Sequence, residues 1–123
     1  MVNGRRKGHS FERQIANQLK EIYPSAVRQL EYQEGLGYDI ANTGKLRIQC
    51  KSYANYAPIS KIFEAYKACN DDNQCIPMLV TKGNNMEVMA VVPFYFMKEL
   101  IKLYQEKEDA WKVKQQSKLD DKP

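Results

Sequence analysis

The chain has 123 residues and a formal net charge of +4, which fits a single domain with a modest core. It is 43% hydrophobic and 28% charged, as in ordinary globular proteins. No apolar run approaches the roughly 18 residues that cross a bilayer, and no apolar segment follows the basic N-terminus. We therefore expect no membrane partner and no secretory signal.

The cysteine and histidine content limits the chemistry further. Cys50, Cys69 and Cys75 are odd in number and lack metal-ligand spacing, so we expect a reducing, cytoplasmic compartment and three unpaired structural thiols. A disulfide is the alternative. The single histidine, His9, excludes a histidine-rich metal site.

The positive charge is concentrated at the N-terminus. Residues 1–20 carry a net charge of +4, and the remainder of the chain balances to zero. Residues 1–9, in which Gly4 and Gly8 flank three basic residues, predict a flexible basic arm. A basic arm on a balanced body is typical of nucleic-acid binding, although a solubilising terminus has the same composition.

The first helix is predicted over residues 11–23, with Ser10 as its N-cap and Pro24 after its end. Its apolar residues fall within an arc of about 140°: Phe11, Ile15, Ala16, Leu19, Ile22 and Tyr23. Glu12 lies near the middle of that arc, where a carboxylate requires a partner or a metal ion. The alternative is an exposed glutamate that the helix dipole stabilises.

Periodicity and turn residues predict the remaining elements. They are strands over residues 26–32, 46–51, 75–81 and 86–92, and helices over residues 59–69 and 93–104. The last two helices are expected to bury, respectively, Ile59, Ile62, Phe63, Tyr66 and Cys69, and Phe94, Met97, Leu100, Ile101 and Tyr104. The predicted order is helix, strand, strand, strand, helix, strand, strand, helix, with no range assigned to one of the first three strands. It predicts an α/β domain over residues 10–104, with a mixed sheet flanked by helices. Residues 105–123 form a charged extension that is partly helical or disordered.

The alternating strand carries the candidate chemistry. Arg47, Gln49 and Lys51 share one face of it, because successive side chains point to opposite faces. Asp39 precedes an Asn-Thr-Gly turn, so the returning strand brings Gln49 and Lys51 beside its carboxylate. A carboxylate, an amide oxygen and an ammonium at one place suit a hard cation, a phosphate and a water molecule.

Five short motifs occur along the chain in the following order: Lys7-Gly8, Phe11-Glu12-Arg13, Arg28, Gly37-Tyr38-Asp39 and Gln49-Cys50-Lys51. Together they resemble the PD-(D/E)XK nuclease superfamily, and within it the archaeal-type and phage Holliday junction resolvases, over about residues 5–92. The resemblance implies a restriction-endonuclease-like αβββαβ core and Mg²⁺-dependent cleavage of branched DNA, with Mn²⁺ as a substitute. It also implies a homodimer of prokaryotic or phage origin, without an organic cofactor.

The resemblance assigns roles to individual residues. Glu12, Asp39, Gln49 and Lys51 are the expected catalytic residues. Asp39 is the central metal ligand, and Glu12, Gln49 and the carbonyl of Cys50 complete the metal site. Lys51 orients the attacking water or stabilises charge on the phosphate. Gln49 stands where the family usually has glutamate, and its amide brings no charge, so metal affinity falls unless Glu12, Glu31 or Glu34 compensates.

The expected DNA contacts are basic residues: Arg5, Arg6, Lys7, Arg13, Arg28 and Arg47. The alternative for Arg28 and Arg47 is an exposed side chain that does not contact DNA. For the whole chain, three other functions stay open. The first is a nuclease that acts on flaps or ends, and the second is a degenerate module that binds DNA without cutting it. The third is an unrelated α/β domain in which Asp39 and Lys51 form a surface ion pair.

Overall fold

The computed structural model describes residues 4–29, 38–69 and 74–120, without the side chains of residues 4–7 and 120. Eight elements follow one another: α1 (Gly4–Leu19), β1 (Val27–Arg28), β2 (Ile40–Ala41), β3 (Leu46–Ser52), α2 (Ile62–Lys67), β4 (Ile76–Lys82), β5 (Met89–Val91) and α3 (Phe94–Asp120). This is the predicted order of helices and strands, and the α/β class is confirmed.

The central sheet is mixed, as expected. β3 runs parallel to β4 over seven register pairs, from Leu46↔Ile76 to Ser52↔Lys82, and β5 runs antiparallel to β4. β1 and β2 form a separate short antiparallel pair. The Asp39 amide donates a 2.7 Å hydrogen bond to the Ile48 carbonyl, which connects this pair to β3.

Pro77 lies inside β4, although proline usually occurs at the start of a strand or in an edge strand. β4 is the central strand, but β5 pairs only with residues 79–81. Pro77 therefore lies outside the part of β4 that is paired on both sides. A missing N–H is tolerated at such a position.

The core lies between α1 and β3. Its buried residues come from α1, from the strands and from the segment before β1: Phe11, Ile15, Ala16, Ala26, Ile40, Ile48, Cys50 and Val80. α2 packs against β3 and β4 and buries Ile62 and Ala65. The fully buried Ala65 lets α2 approach the sheet closely, because its side chain is small.

α1 differs from its prediction at both ends. It begins at Gly4, so residues 4–9 of the expected flexible arm are helical and Ser10 lies inside the helix. The cost of Gly8 in a helix is only about 1 kcal/mol, and the neighbouring basic residues are good helix formers. The helix ends at Leu19, whose carbonyl accepts hydrogen bonds from the amides of residues 22 and 23, and Ile22 is 70% exposed.

Two predicted apolar stripes are not buried. In the α2 region, Ile59 lies in a preceding 3₁₀ turn and is 70% exposed, and Phe63 and Tyr66 are also exposed. In α3, all five expected core residues are exposed: Phe94, Met97, Leu100, Ile101 and Tyr104. The chain divides into two compact units, residues 1–92 and 93–123. Residue 104, where the end of the domain is expected, lies inside the continuous helix α3.

The expectation of three unpaired thiols is wrong. Cys69 and Cys75 form a disulfide, with a Cα–Cα distance of 5.4 Å, and Cys50 is a buried free thiol. The disulfide joins the segment after α2 to the start of β4, a proximity that cysteine spacing alone does not reveal. Among the helices of the described ranges, none combines the length and hydropathy that a membrane span requires.

Candidate active site

A tight turn places Asp39 beside β3. Asn42 and Gly44 adopt positive φ angles of 68° and 59°, and the Leu46 amide donates to the Thr43 carbonyl at 3.1 Å. A Cβ on Gly44 would also lie 3.3 Å from the Tyr23 ring, so glycine suits this position for two reasons. The chain therefore reverses within a few residues, and β3 returns along the segment that contains Asp39.

The Asp39 carboxylate is oriented by β3 itself. The Cys50 amide donates to Asp39 Oδ2 at 2.8 Å. The amide and carbonyl of one strand residue point to the same edge of the strand. The Cys50 carbonyl therefore lies on the edge that faces Asp39, where the resemblance expects an oxygen ligand. Burial raises the pKa of the Cys50 thiol, so this side chain stays protonated and acts as a core residue.

Glu12 brings a second carboxylate to the same place from α1. Its Oε2 lies 3.7 Å from Arg28 Nη1, and only 15% of its side chain is exposed. Burial and the nearby charge of Asp39 raise the pKa of Glu12 to about 7, although Arg28 and Lys51 act in the opposite direction. Glu12 is thus a largely buried acid whose electrostatic neighbours are the other candidate residues, rather than an exposed glutamate at a helix end.

Lys51 is held by a residue that the sequence did not indicate. Its Nζ lies 2.8 Å from Glu64 Oε2 on α2. Burial alone would lower the pKa of Lys51, but the hydrogen bond and charge of Glu64 outweigh burial and raise it. Lys51 is therefore a cation at neutral pH, suited to stabilise negative charge rather than to accept a proton.

Two cavities bring these side chains together. Glu12, Asp39 and Gln49 line a cavity of about 240 Å³, together with His9, Arg28, Gln29 and Tyr38. Glu12, Asp39 and Lys51 line a second cavity of about 260 Å³, which also includes Cys50 and Ser52. The four expected catalytic residues, from α1, the segment before β2 and β3, thus converge on two cavities that share Glu12 and Asp39.

The chain matches no protein-family model, no curated protein and no solved structure. The assignment of function therefore depends on the motifs and on this geometry.

The predicted DNA-contact residues differ in their surroundings. Arg28 lines the candidate site, whereas Arg13 is exposed on α1 and lines neither cavity. The guanidinium of Arg47 donates to the carbonyls of Gly44 and Leu46 and lies 5.3 Å from the centre of the Tyr38 ring. Arg47 thus stabilises the turn before β3. Three residues have helical backbones in α1 and side chains outside the described part: Arg5, Arg6 and Lys7.

The donors that we assign to a metal ion are all oxygens. In the part of the chain that the structure describes, no group of three His, Cys, Asp or Glu side chains is placed to hold a metal. The set consists of two carboxylates, Glu12 and Asp39, with the Gln49 amide and the Cys50 carbonyl. Mg²⁺ prefers oxygen ligands and commonly takes one or two protein carboxylates while it retains water, so this donor set fits it. Glu31 and Glu34, the expected alternative acids, lie outside the described residues.

Proposed function

We propose that this protein is a Mg²⁺-dependent, structure-selective DNA endonuclease with a restriction-endonuclease-like core. The resemblance implies a four-way junction as its substrate, which would make it a Holliday junction resolvase. One observation carries the proposal: Glu12, Asp39, Gln49 and Lys51 converge from α1, from the segment before β2 and from β3. Phosphodiester hydrolysis needs acids, a metal ligand set and a fixed cation in one place, and these residues supply them.

The metal ion, Mg²⁺ or Mn²⁺, would be held by Asp39, Glu12, the Gln49 side-chain oxygen and the Cys50 carbonyl. When bound, it neutralises charge on the phosphate and makes a water molecule more acidic. Burial, together with the nearby charge of Asp39, raises the pKa of Glu12, and the repulsion between the two carboxylates is the kind that a divalent cation relieves.

The protein side chains position and stabilise the reacting phosphate. Lys51, kept cationic by Glu64, is placed to offset the negative charge that grows on the phosphate during attack. Arg28, next to Glu12, adds a second cation at the edge of the site. The basic residues of α1 would add phosphate contacts that do not depend on base sequence.

Junction resolution requires two cuts in equivalent strands, so we propose a homodimer with two-fold symmetry. Each chain then supplies one complete site. The exposed apolar residues of α3, such as Ile101 and Tyr104, offer a surface on which two chains could pair.

A second candidate is a module that binds DNA without cutting it. Gln49 favours this alternative, because an amide replaces the charged ligand that the family usually has. The described residues contribute only two carboxylates to the site. Weak metal binding would leave a folded, basic and inactive surface.

A labelled four-way junction, incubated with the full chain and Mg²⁺, separates these functions. Symmetric nicks near the crossover support a resolvase, and cleavage of flapped or linear DNA alone supports a different nuclease. A gel shift without cleavage in Mg²⁺ or Mn²⁺ supports the non-cleaving module.

The matched variant is Asp39→Asn, which we expect to abolish cleavage and to retain junction binding, because it removes a charge and keeps the shape. Loss of both activities in a folded variant would contradict the proposed site. Asp109→Asn, an exposed position on α3, serves as the control.

A further inference from the structure

A third cavity, of about 420 Å³, lies next to the candidate active site. Apart from Phe11 and Gly83, every described residue that lines it has a hydrogen-bonding side chain: Ser10, Gln14, Ser52, Lys82, Asn84 and Asn85. None of these residues has a role in the proposed reaction.

The chemistry of this cavity suits an anion. Its described lining supplies an ammonium, two hydroxyls and three amides, and includes no carboxylate. A divalent cation would lack the carboxylates that it requires. Hydroxyls, amides and lysine are the side chains that commonly donate hydrogen bonds to phosphate oxygens of nucleic acids.

The backbone holds the cavity in a defined shape. The Tyr53 amide donates to the Lys82 carbonyl at 3.2 Å, and the Asn84 amide donates to the Ala54 carbonyl at 3.0 Å. A Cβ on Gly83 would meet the sulfur of Met86 and lie 3.0 Å from the backbone of Asn55, so a larger residue would force these neighbours to shift. The turn after β4 is thus fixed against the segment after β3 before any ligand arrives.

The position of the cavity connects it to catalysis. Ser52 and Lys82 form the last register pair of the parallel strands β3 and β4, so both lie at the same edge of the sheet. Ser52 also lines the cavity that contains Lys51, its neighbour in the chain. Because Ser52 lines both cavities, the two cavities adjoin at this residue.

We propose that this cavity is a phosphate subsite for the nucleic-acid strand that is cut. It binds a phosphate next to the scissile one, and Lys82 supplies the positive charge. The inference rests on the proposed function. It adds that phosphate binding at this subsite determines which phosphate of the bound DNA strand lies beside Lys51.

The test uses the full chain and compares Lys82→Gln with Lys45→Gln. Lys45 is exposed and lies at the opposite end of β3, so both variants lose one charge. We expect Lys82→Gln to weaken junction binding severalfold and to reduce the slope of log affinity against log salt by about 0.9, the value for one phosphate contact. Lys45→Gln should leave the slope unchanged, and Lys82→Arg should restore it. Equal slopes for Lys82→Gln and Lys45→Gln would overturn the inference.

Neutral methylphosphonate groups, introduced one at a time around the cut, locate the contact. The wild type should lose affinity when the phosphate beside the scissile one is neutralised, and Lys82→Gln should show no further loss at that position. A similar loss of affinity in the wild type and in Lys82→Gln would refute the contact between Lys82 and that phosphate. Inorganic phosphate should compete only weakly. If it saturates Lys82 in NMR titrations while Lys82→Gln binds the junction normally, the cavity is a free-phosphate site and the inference fails.

The two proposals fail in distinguishable ways. If the wild type neither binds nor cuts DNA, both are overturned. If it binds and cuts, and Lys82→Gln behaves like Lys45→Gln, only the subsite is overturned. Circular dichroism of each variant separates an unfolded protein from either outcome.

Discussion

Replacement of Glu12 by glutamine should stabilise the folded protein at alkaline pH, although it removes a proposed metal ligand. In the folded chain the pKa of Glu12 is raised from 4.5 to about 7. Below pH 4.5 the carboxyl is protonated in both the folded and unfolded chain. Between pH 4.5 and pH 7 the unfolded chain loses the proton and the folded chain keeps it, so the free energy of unfolding falls.

The size of the effect follows from the pKa. At about 1.4 kcal/mol per pH unit, the full difference corresponds to roughly 3 kcal/mol. Solvent that reaches the 15% exposed side chain screens the interaction, so we expect a loss of about 1–2 kcal/mol. Glutamine resembles the protonated acid and avoids this loss. The stability gap between Glu12→Gln and the wild type should therefore widen by that amount between pH 4.5 and pH 8.

The assay is urea unfolding at both pH values, followed by far-UV circular dichroism, without divalent metal. Glu21→Gln, at an exposed position, is the control and should show no change in the gap. Added Mg²⁺ should then stabilise the wild type at pH 8 more than Glu12→Gln, because a ligand that binds only the folded state raises its stability. A gap that is the same at pH 4.5 and pH 8 would refute the electrostatic description of the site.

Three further outcomes test the surrounding structure. Gln49→Glu should cleave at lower Mg²⁺ than the wild type because it restores a charged ligand, and an inactive enzyme in the cleavage assay would contradict this. Glu64→Gln should lower the pKa of Lys51, so the alkaline limb of the pH–rate profile should move to lower pH, whereas an unchanged limb would show that Glu64 does not control Lys51. Serine at both Cys69 and Cys75 should cost about 2 kcal/mol in urea unfolding, the value for closing so short a loop. Dithiothreitol should cause the same loss of stability in the wild type and none in the double serine variant. Equal sensitivity of these two proteins to dithiothreitol would contradict a stabilising disulfide.

The local order of the fold could be predicted because local signals determine it. The alternating residues of β3 and the Asn-Thr-Gly turn were sufficient to predict that Asp39 lies beside Gln49 and Lys51. Glu12 was recognised because a carboxylate interrupts an apolar helix face.

The burial of α2 and α3 could not be predicted in the same way. Helical periodicity identifies an apolar face, but it does not show whether another element covers that face. Phe63 and Ile101 fit the expected stripes and are exposed, whereas the small Ala65 is fully buried. Contacts between residues of different segments, such as Glu64 with Lys51 or Cys69 with Cys75, cannot be predicted from helical or strand periodicity.

The backbone of Asp39 has a structural task that is separate from its side chain. Its carbonyl accepts from the Gln29 amide, and its amide donates to the Ile48 carbonyl, both at 2.7 Å. Any residue other than proline could make these two bonds. The junction between the short strand pair and the main sheet would therefore survive a change at this position, while the proposed chemistry would not. On the proposed function, a lineage could lose cleavage through one substitution and keep a folded protein that still recognises DNA.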